Sequence, residues 1–141
     1  MTTTIRLERT FDVHPARVWE AWTQPDLMDR WLCPNPDLRV SSHADAREGG
    51  AFRVNMGGEY IVVGTYTRLE EPAVLESTWQ WEHETLTTLL RVELAPGDDG
   101  DTLLVLQHSD FTDADDAEGT RQGWELSLDR LTALLADGLS R

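Results

Sequence analysis

From Leu38 to Ser109 apolar residues recur at every second position, and turn-forming residues interrupt the pattern about every ten. A period of two places one set of side chains on one face of a strand, whereas a helix would scatter the same residues around its circumference. Gly49-Gly50, Gly57-Gly58, Glu71-Pro72 and Pro96-Gly97-Asp98-Asp99-Gly100 supply the turns. The segment therefore reads as an antiparallel meander with strands over 38–46, 50–56, 60–69, 73–83, 85–95 and 102–109. Within 73–83, Leu75, Ser77, Trp79, Trp81 and His83 oppose Val74, Glu76, Thr78, Gln80 and Glu82. The next strand repeats the arrangement, with Leu86, Thr88, Leu90, Val92 and Leu94 on the apolar side. A sheet with one apolar and one wet face requires a cover.

The flanking segments supply it. Ile5, Leu7, Phe11 and Val13 alternate with Thr4, Arg6, Glu8 and Thr10, which predicts a half-buried strand over Thr3–Val13. Pro15 suits a first helical position, and Val18, Trp19 and Trp22 follow at one-turn spacing. Pro25 opens a second short helical segment carrying Leu27, Met28, Trp31 and Leu32, which Pro34 and Pro36 end. Past Phe111, the acidic stretch Asp113, Asp115, Asp116 and Glu118 precedes Trp124, Leu128, Leu131, Leu134 and Leu135 at helical spacing. Carboxylates favour the N-terminal end of a helix, so this segment is the predicted covering helix. Gly119 and Gly123 fall in its first half, where each is disfavoured by about 1 kcal/mol relative to alanine. Either the helix starts late or a bulky group lies against its backbone there. The predicted order is β-α-α-β6-α in a single α+β domain spanning 1–141.

Composition narrows the chemistry. The formal charge is −14, and all twelve basic residues are arginine. Without lysine there is no Schiff-base nucleophile, pyridoxal-phosphate anchor or Walker A lysine. An acidic surface repels phosphate backbones and anionic lipids, so neither nucleic acid nor a membrane is an expected partner. No apolar run approaches the ~20 residues of a membrane span. The opening Met1-Thr2-Thr3-Thr4-Ile5-Arg6 has neither the basic start nor the apolar stretch of a signal peptide, and a cytoplasmic setting is expected. Cys33 is the only cysteine. It has no partner for a disulfide or a zinc ribbon, and His14, His43, His83 and His108 show no metal-binding spacing. No metal and no cofactor are expected.

The element order is that of the START-like, or SRPBCC, superfamily with its helix-grip fold. Several stretches sharpen the likeness: Arg9-x-Phe11 before Pro15, Val18-Trp19-x-Ala21-Trp22-Thr23-x-Pro25, Arg30-Trp31 and Pro34. Asp45-x-Arg47-x-Gly49-Gly50-x-Phe52-Arg53-x-x-Met56, Tyr60-x-x-x-Gly64-x-Tyr66, Thr102-x-Leu104-x-Leu106-x-His108 and Gly123-Trp124 continue it. Together they resemble the branch related to the C-terminal domain of the activator of heat-shock protein 90 ATPase. The resemblance implies a curved antiparallel sheet wrapped around a long C-terminal helix, with a pocket between them. It leaves function open, since this superfamily includes lipid carriers, hormone receptors and polyketide aromatase/cyclases.

The expected pocket lining is Trp31, Phe52, Met56, Tyr66, Trp79, Trp81, His108 and Trp124, with Ser77, His83 and His108 as polar fixtures on the same face. The competing reading is that these aromatics fill the core and leave no cavity. Three functions follow. The first is binding of a small hydrophobic or aromatic molecule. The second is a cyclase- or isomerase-type reaction on a carbonyl compound, with His108 or Tyr66 as the acid/base group. The third is a co-chaperone-like interaction module, whose partner would be a chaperone; a second copy of the chain is a further candidate partner. Glu48 and Arg53, beside the Gly49-Gly50 turn, are expected either at the pocket mouth or in a pairing across the hairpin.

Overall fold

A computed structural model describes residues 2–136. The chain runs β1 (Thr3–Phe11), α1 (Pro15–Thr23), α2 (Pro25–Met28), β2 (Val40–Ala44), β3 (Ala51–Met56), β4 (Tyr60–Glu70), β5 (Val74–Trp81), β6 (Thr88–Pro96), β7 (Thr102–Phe111) and α3 (Ala114–Ala136). The strands form one curved antiparallel sheet in the order β1-β7-β6-β5-β4-β3-β2. Consecutive strands from β2 to β7 are neighbours, as a meander requires, and β1 pairs with β7, Leu7 facing Leu106. Thus α1 and α2 carry the chain from one sheet edge to the other, and α3 packs beside them on the same face.

The core follows from strand parity. Val54, Val62, Leu75, Val92, Leu104 and Leu106 are all buried, and Leu128 and Leu131 of α3 are fully so. Complete burial of a leucine contributes about 1.5–3 kcal/mol. Two arginines then fix α3 laterally. Arg9 of β1 donates to the Asp129 carboxylate at 2.7 Å and to the Glu125 carbonyl at 3.2 Å. Arg130 donates to the carbonyls of Cys33 at 2.7 Å and Arg30 at 3.2 Å, which holds the turn after α2 against the helix.

Several expectations need correction. The covering helix does not start late: the Asp113 side chain accepts from the backbone N–H groups of Asp115 at 2.8 Å and Asp116 at 3.4 Å, capping the helix a turn ahead of Gly119. No bulky group crowds the glycines either. A Cβ at Gly119 would meet nothing within 4 Å, and one at Gly123 only Pro34 Cγ at 3.8 Å. The strand expected over 73–83 ends at Trp81, because the Glu84 N–H bonds to the Trp81 carbonyl at 2.9 Å and turns the chain. His83 consequently leaves the apolar face; it is exposed and lies beside Glu84. The next strand starts at Thr88, leaving Leu86 in the connection. Arg53 pairs with Glu82 at 3.0 Å, and the Glu48 carboxylate accepts from the Leu69 N–H at 3.1 Å.

Candidate functional site

A cavity of ≈ 320 Å³ lies between the sheet and the first half of α3. Met56 closes it from the end of β3, Trp79 and Trp81 from β5, Thr88 from β6 and Phe111 from the end of β7. Leu32 and Pro34 border it from the turn after α2, and Gly119, Gly123, Trp124 and Ser127 from α3. Gly119, Gly123 and Ser127 recur every fourth residue, so one helix face presents almost no side-chain volume to this space. The rim carries the exposed carboxylates of Glu84, Asp115 and Asp116 and no arginine.

Trp79 is the centre of the lining. Its ring lies 5.2 Å from that of Trp124, 6.3 Å edge-on from Trp81 and 5.9 Å from Phe52. It also borders a second, inner cavity of ≈ 20 Å³, shared with Leu32 and enclosed by Trp22, Phe52, Tyr66 and Ser77 among others. Of the eight residues expected to line a pocket, Met56, Trp79, Trp81 and Trp124 meet at the larger cavity. Phe52 and Tyr66 border the inner one instead. Trp31 borders neither: it is fully buried, and its indole N–H donates to the Ala21 carbonyl at 2.8 Å.

His108 stands behind the wall. An indole N–H can only donate, so the Trp124 Nε1 contact at 3.1 Å makes His108 Nδ1 an acceptor and leaves the ring proton on Nε2. That proton points to Thr88 Oγ1 at 2.7 Å, and the Thr88 hydroxyl donates to the Trp79 carbonyl at 2.9 Å. The chain of bonds links three cavity-lining residues through one buried imidazole. Burial holds the His108 pKa down to about 3, so the ring is neutral at pH 7 and supplies no proton there. Burial, reinforced by the Asp45 carboxylate, pushes Tyr66 up to about 12. Neither group titrates near neutrality. Among the described residues no cluster of three or more His, Cys, Asp or Glu is placed to hold a metal ion.

Sequence reasoning missed Thr88, Phe111, Ser127 and the glycine face of α3. The usable signal was Gly119 and Gly123 at four-residue spacing in a helix that has no need of flexibility there.

A seven-stranded curved antiparallel sheet gripping a long C-terminal helix defines a helix-grip protein of the START-like superfamily. Within it, the family model described as Activator of Hsp90 ATPase homolog 1-like protein matches residues 12–136, and the chain belongs to that family. A solved structure from Chromobacterium violaceum is 29% identical with a TM-score of 0.82, covering 93% of this chain and 96% of that one. The AHSA1 protein from Silicibacter pomeroyi is 26% identical, with a TM-score of 0.80 over 95% and 98% of the two chains. An HSP90 activator from Plasmodium falciparum shares the fold at 18% identity, TM-score 0.78, over 94% and 96%. No curated protein matches the chain by sequence. Among the described residues no helix is long and apolar enough to cross a membrane.

Proposed function

We propose that this chain binds a small hydrophobic or aromatic molecule in the cavity beneath α3. The observation that carries the proposal is a volume of ≈ 320 Å³ bounded by Trp79, Trp81, Trp124 and Met56, with Thr88 and Ser127 as isolated polar groups. Ligand pockets begin at about 300 Å³ and combine an apolar lining with a few polar fixtures. Three indoles at one cavity also provide flat faces for offset or edge contact with an aromatic guest. The cytoplasm is the compartment included in this proposal, supported by a lone cysteine with no disulfide partner.

The test is titration of the intrinsic tryptophan fluorescence with a panel of neutral aromatic compounds and lipids, alongside native mass spectrometry of gently purified protein. A saturable response from the aromatic compounds is expected. No response to any member, together with no retained small molecule, would defeat the reading.

Membership of the family supports a second proposal, a co-chaperone-like role on a heat-shock protein 90. Its check is the ATPase rate of purified chaperone with and without the chain. A rate unchanged at a tenfold excess of the chain would reject it.

A further inference from the structure

The inner cavity behind Trp79 is lined mostly by apolar side chains, with Trp22, Tyr66, Ser77 and Trp79 bringing the polar groups. Ser77 Oγ, Trp22 Nε1 and Trp79 Nε1 are all buried and have no hydrogen-bond partner among the described residues. Their residues are 99%, 96% and 93% buried, and all three border this same small space. Buried polar groups left unpaired destabilise a fold by about 1–3 kcal/mol each, and native proteins carry few of them. Other buried indoles of this core are satisfied, Trp31 by the Ala21 carbonyl and Trp124 by His108. The concentration of three at one cavity therefore calls for an occupant.

Its chemistry follows from the donors. An indole N–H donates and never accepts, so two of the three atoms demand an acceptor, and the serine hydroxyl can turn to donate as well. The space of ≈ 20 Å³ has room for about one oxygen atom. A carboxylate is disfavoured. No arginine borders either cavity, burial of an unpaired charge is severely unfavourable, and the rim carboxylates Glu84, Asp115 and Asp116 repel an approaching anion. Leu32 and Trp79 border both cavities, so an aromatic body in the larger one lies next to the inner space.

We infer that Trp22, Ser77 and Trp79 form a cradle for a neutral carbonyl oxygen of the bound molecule. The ligand class is then an uncharged aromatic ketone, amide or quinone. This rests on the proposed binding function and adds to it a polar anchor and a ligand class.

A matched pair of probes separates the two claims. 2-Acetylnaphthalene carries the carbonyl, whereas 2-isopropenylnaphthalene replaces its oxygen with a CH₂ of similar shape. Calorimetric titration of the intact chain should show the ketone binding about tenfold more tightly, the worth of roughly one net hydrogen bond at the upper end of its range. In ¹⁵N-labelled protein the indole N–H signals of Trp22 and Trp79 should move downfield with the ketone and not with the hydrocarbon. Ser77→Ala leaves the fold intact, since its hydroxyl bonds to nothing in the protein, and should reduce the ketone preference at least threefold without weakening the hydrocarbon. Trp79→Phe should abolish the preference if it folds. Equal affinities for the two probes would overturn the cradle while leaving the binding function standing, and would mean that the space serves a water molecule. A ketone preference without movement of either indole signal would also overturn it. Binding of neither probe would overturn the aromatic-carbonyl ligand class, while the binding function itself is decided by the wider panel.

Discussion

The most direct perturbation of the cavity is at Gly119. A helical glycine is disfavoured by about 1 kcal/mol relative to alanine, and a Cβ at this position meets nothing within 4 Å. Gly119→Ala should therefore stabilise the fold by about 1 kcal/mol. For a domain of this size that corresponds to a rise of about 2–4 °C in Tm. A methyl group occupies little of ≈ 320 Å³, so 2-acetylnaphthalene should bind the alanine protein nearly as well as the parent. Gly119→Trp is the contrasting change. Its indole would enter the same space, keep the helix and reduce affinity at least tenfold, a loss of about 1.4 kcal/mol in binding free energy. Differential scanning calorimetry reads the first effect and fluorescence titration the second. An alanine protein less stable than the parent would refute the claim that residue 119 faces open volume. A folded tryptophan protein with undiminished affinity would refute the location of the binding site.

The neutral, buried His108 makes stability fall with acid. Between about pH 6.5 and about pH 3 the unfolded chain binds a proton at this residue that the folded chain does not, so this group lowers unfolding free energy by about 1.4 kcal/mol for each unit of pH lost. Urea melts from pH 6.5 to 4.5 should show a shallower acid slope for His108→Gln than for the parent, and identical slopes would contradict the assignment. Arg130 donates two hydrogen bonds to the carbonyls of Arg30 and Cys33, and charged donors contribute about 1.5–3 kcal/mol each at the upper limit. Because the guanidinium is partly exposed, Arg130→Met should lower stability by about 1–2 kcal/mol in a urea melt, and a loss below 0.5 kcal/mol would show that it does not hold the α2 turn. A Cβ at Gly64 would stand 2.1 Å from the Thr78 carbonyl and 2.4 Å from the Phe52 ring. Gly64→Ala should therefore destabilise by about 1–3 kcal/mol, and a thermal melt with unchanged Tm would mean that the sheet yields without strain there.

The secondary structure was legible because local patterning and turn chemistry agree along most of the chain. Strand alternation marked the β2–β7 meander to within a few residues. Only its ends drifted, where a single turn bond at Glu84 overrides the continuing alternation and removes His83 from the face. The resemblance to the family likewise rests on motifs visible in the primary structure. Strand parity placed Met56, Trp79 and Trp81, and helical spacing Trp124, on faces that border the larger cavity.

Parity does not encode depth, and depth separates a lining residue from a core residue. His108 shares the strand alternation of Trp79, and Trp31 the apolar spacing of a helical segment, yet Trp31 is spent on the Ala21 carbonyl and His108 lies behind Thr88 and Trp124. Periodicity along one chain thus determined which side chains face inward. Only the packing of α1, α2 and α3 against the sheet decided where they meet and where they leave space, because a cavity is a property of distances between segments remote in sequence. The two glycines show the division most plainly: their positions were evident from the residues, but the opening they face exists only once Trp79 and Trp81 stand opposite them.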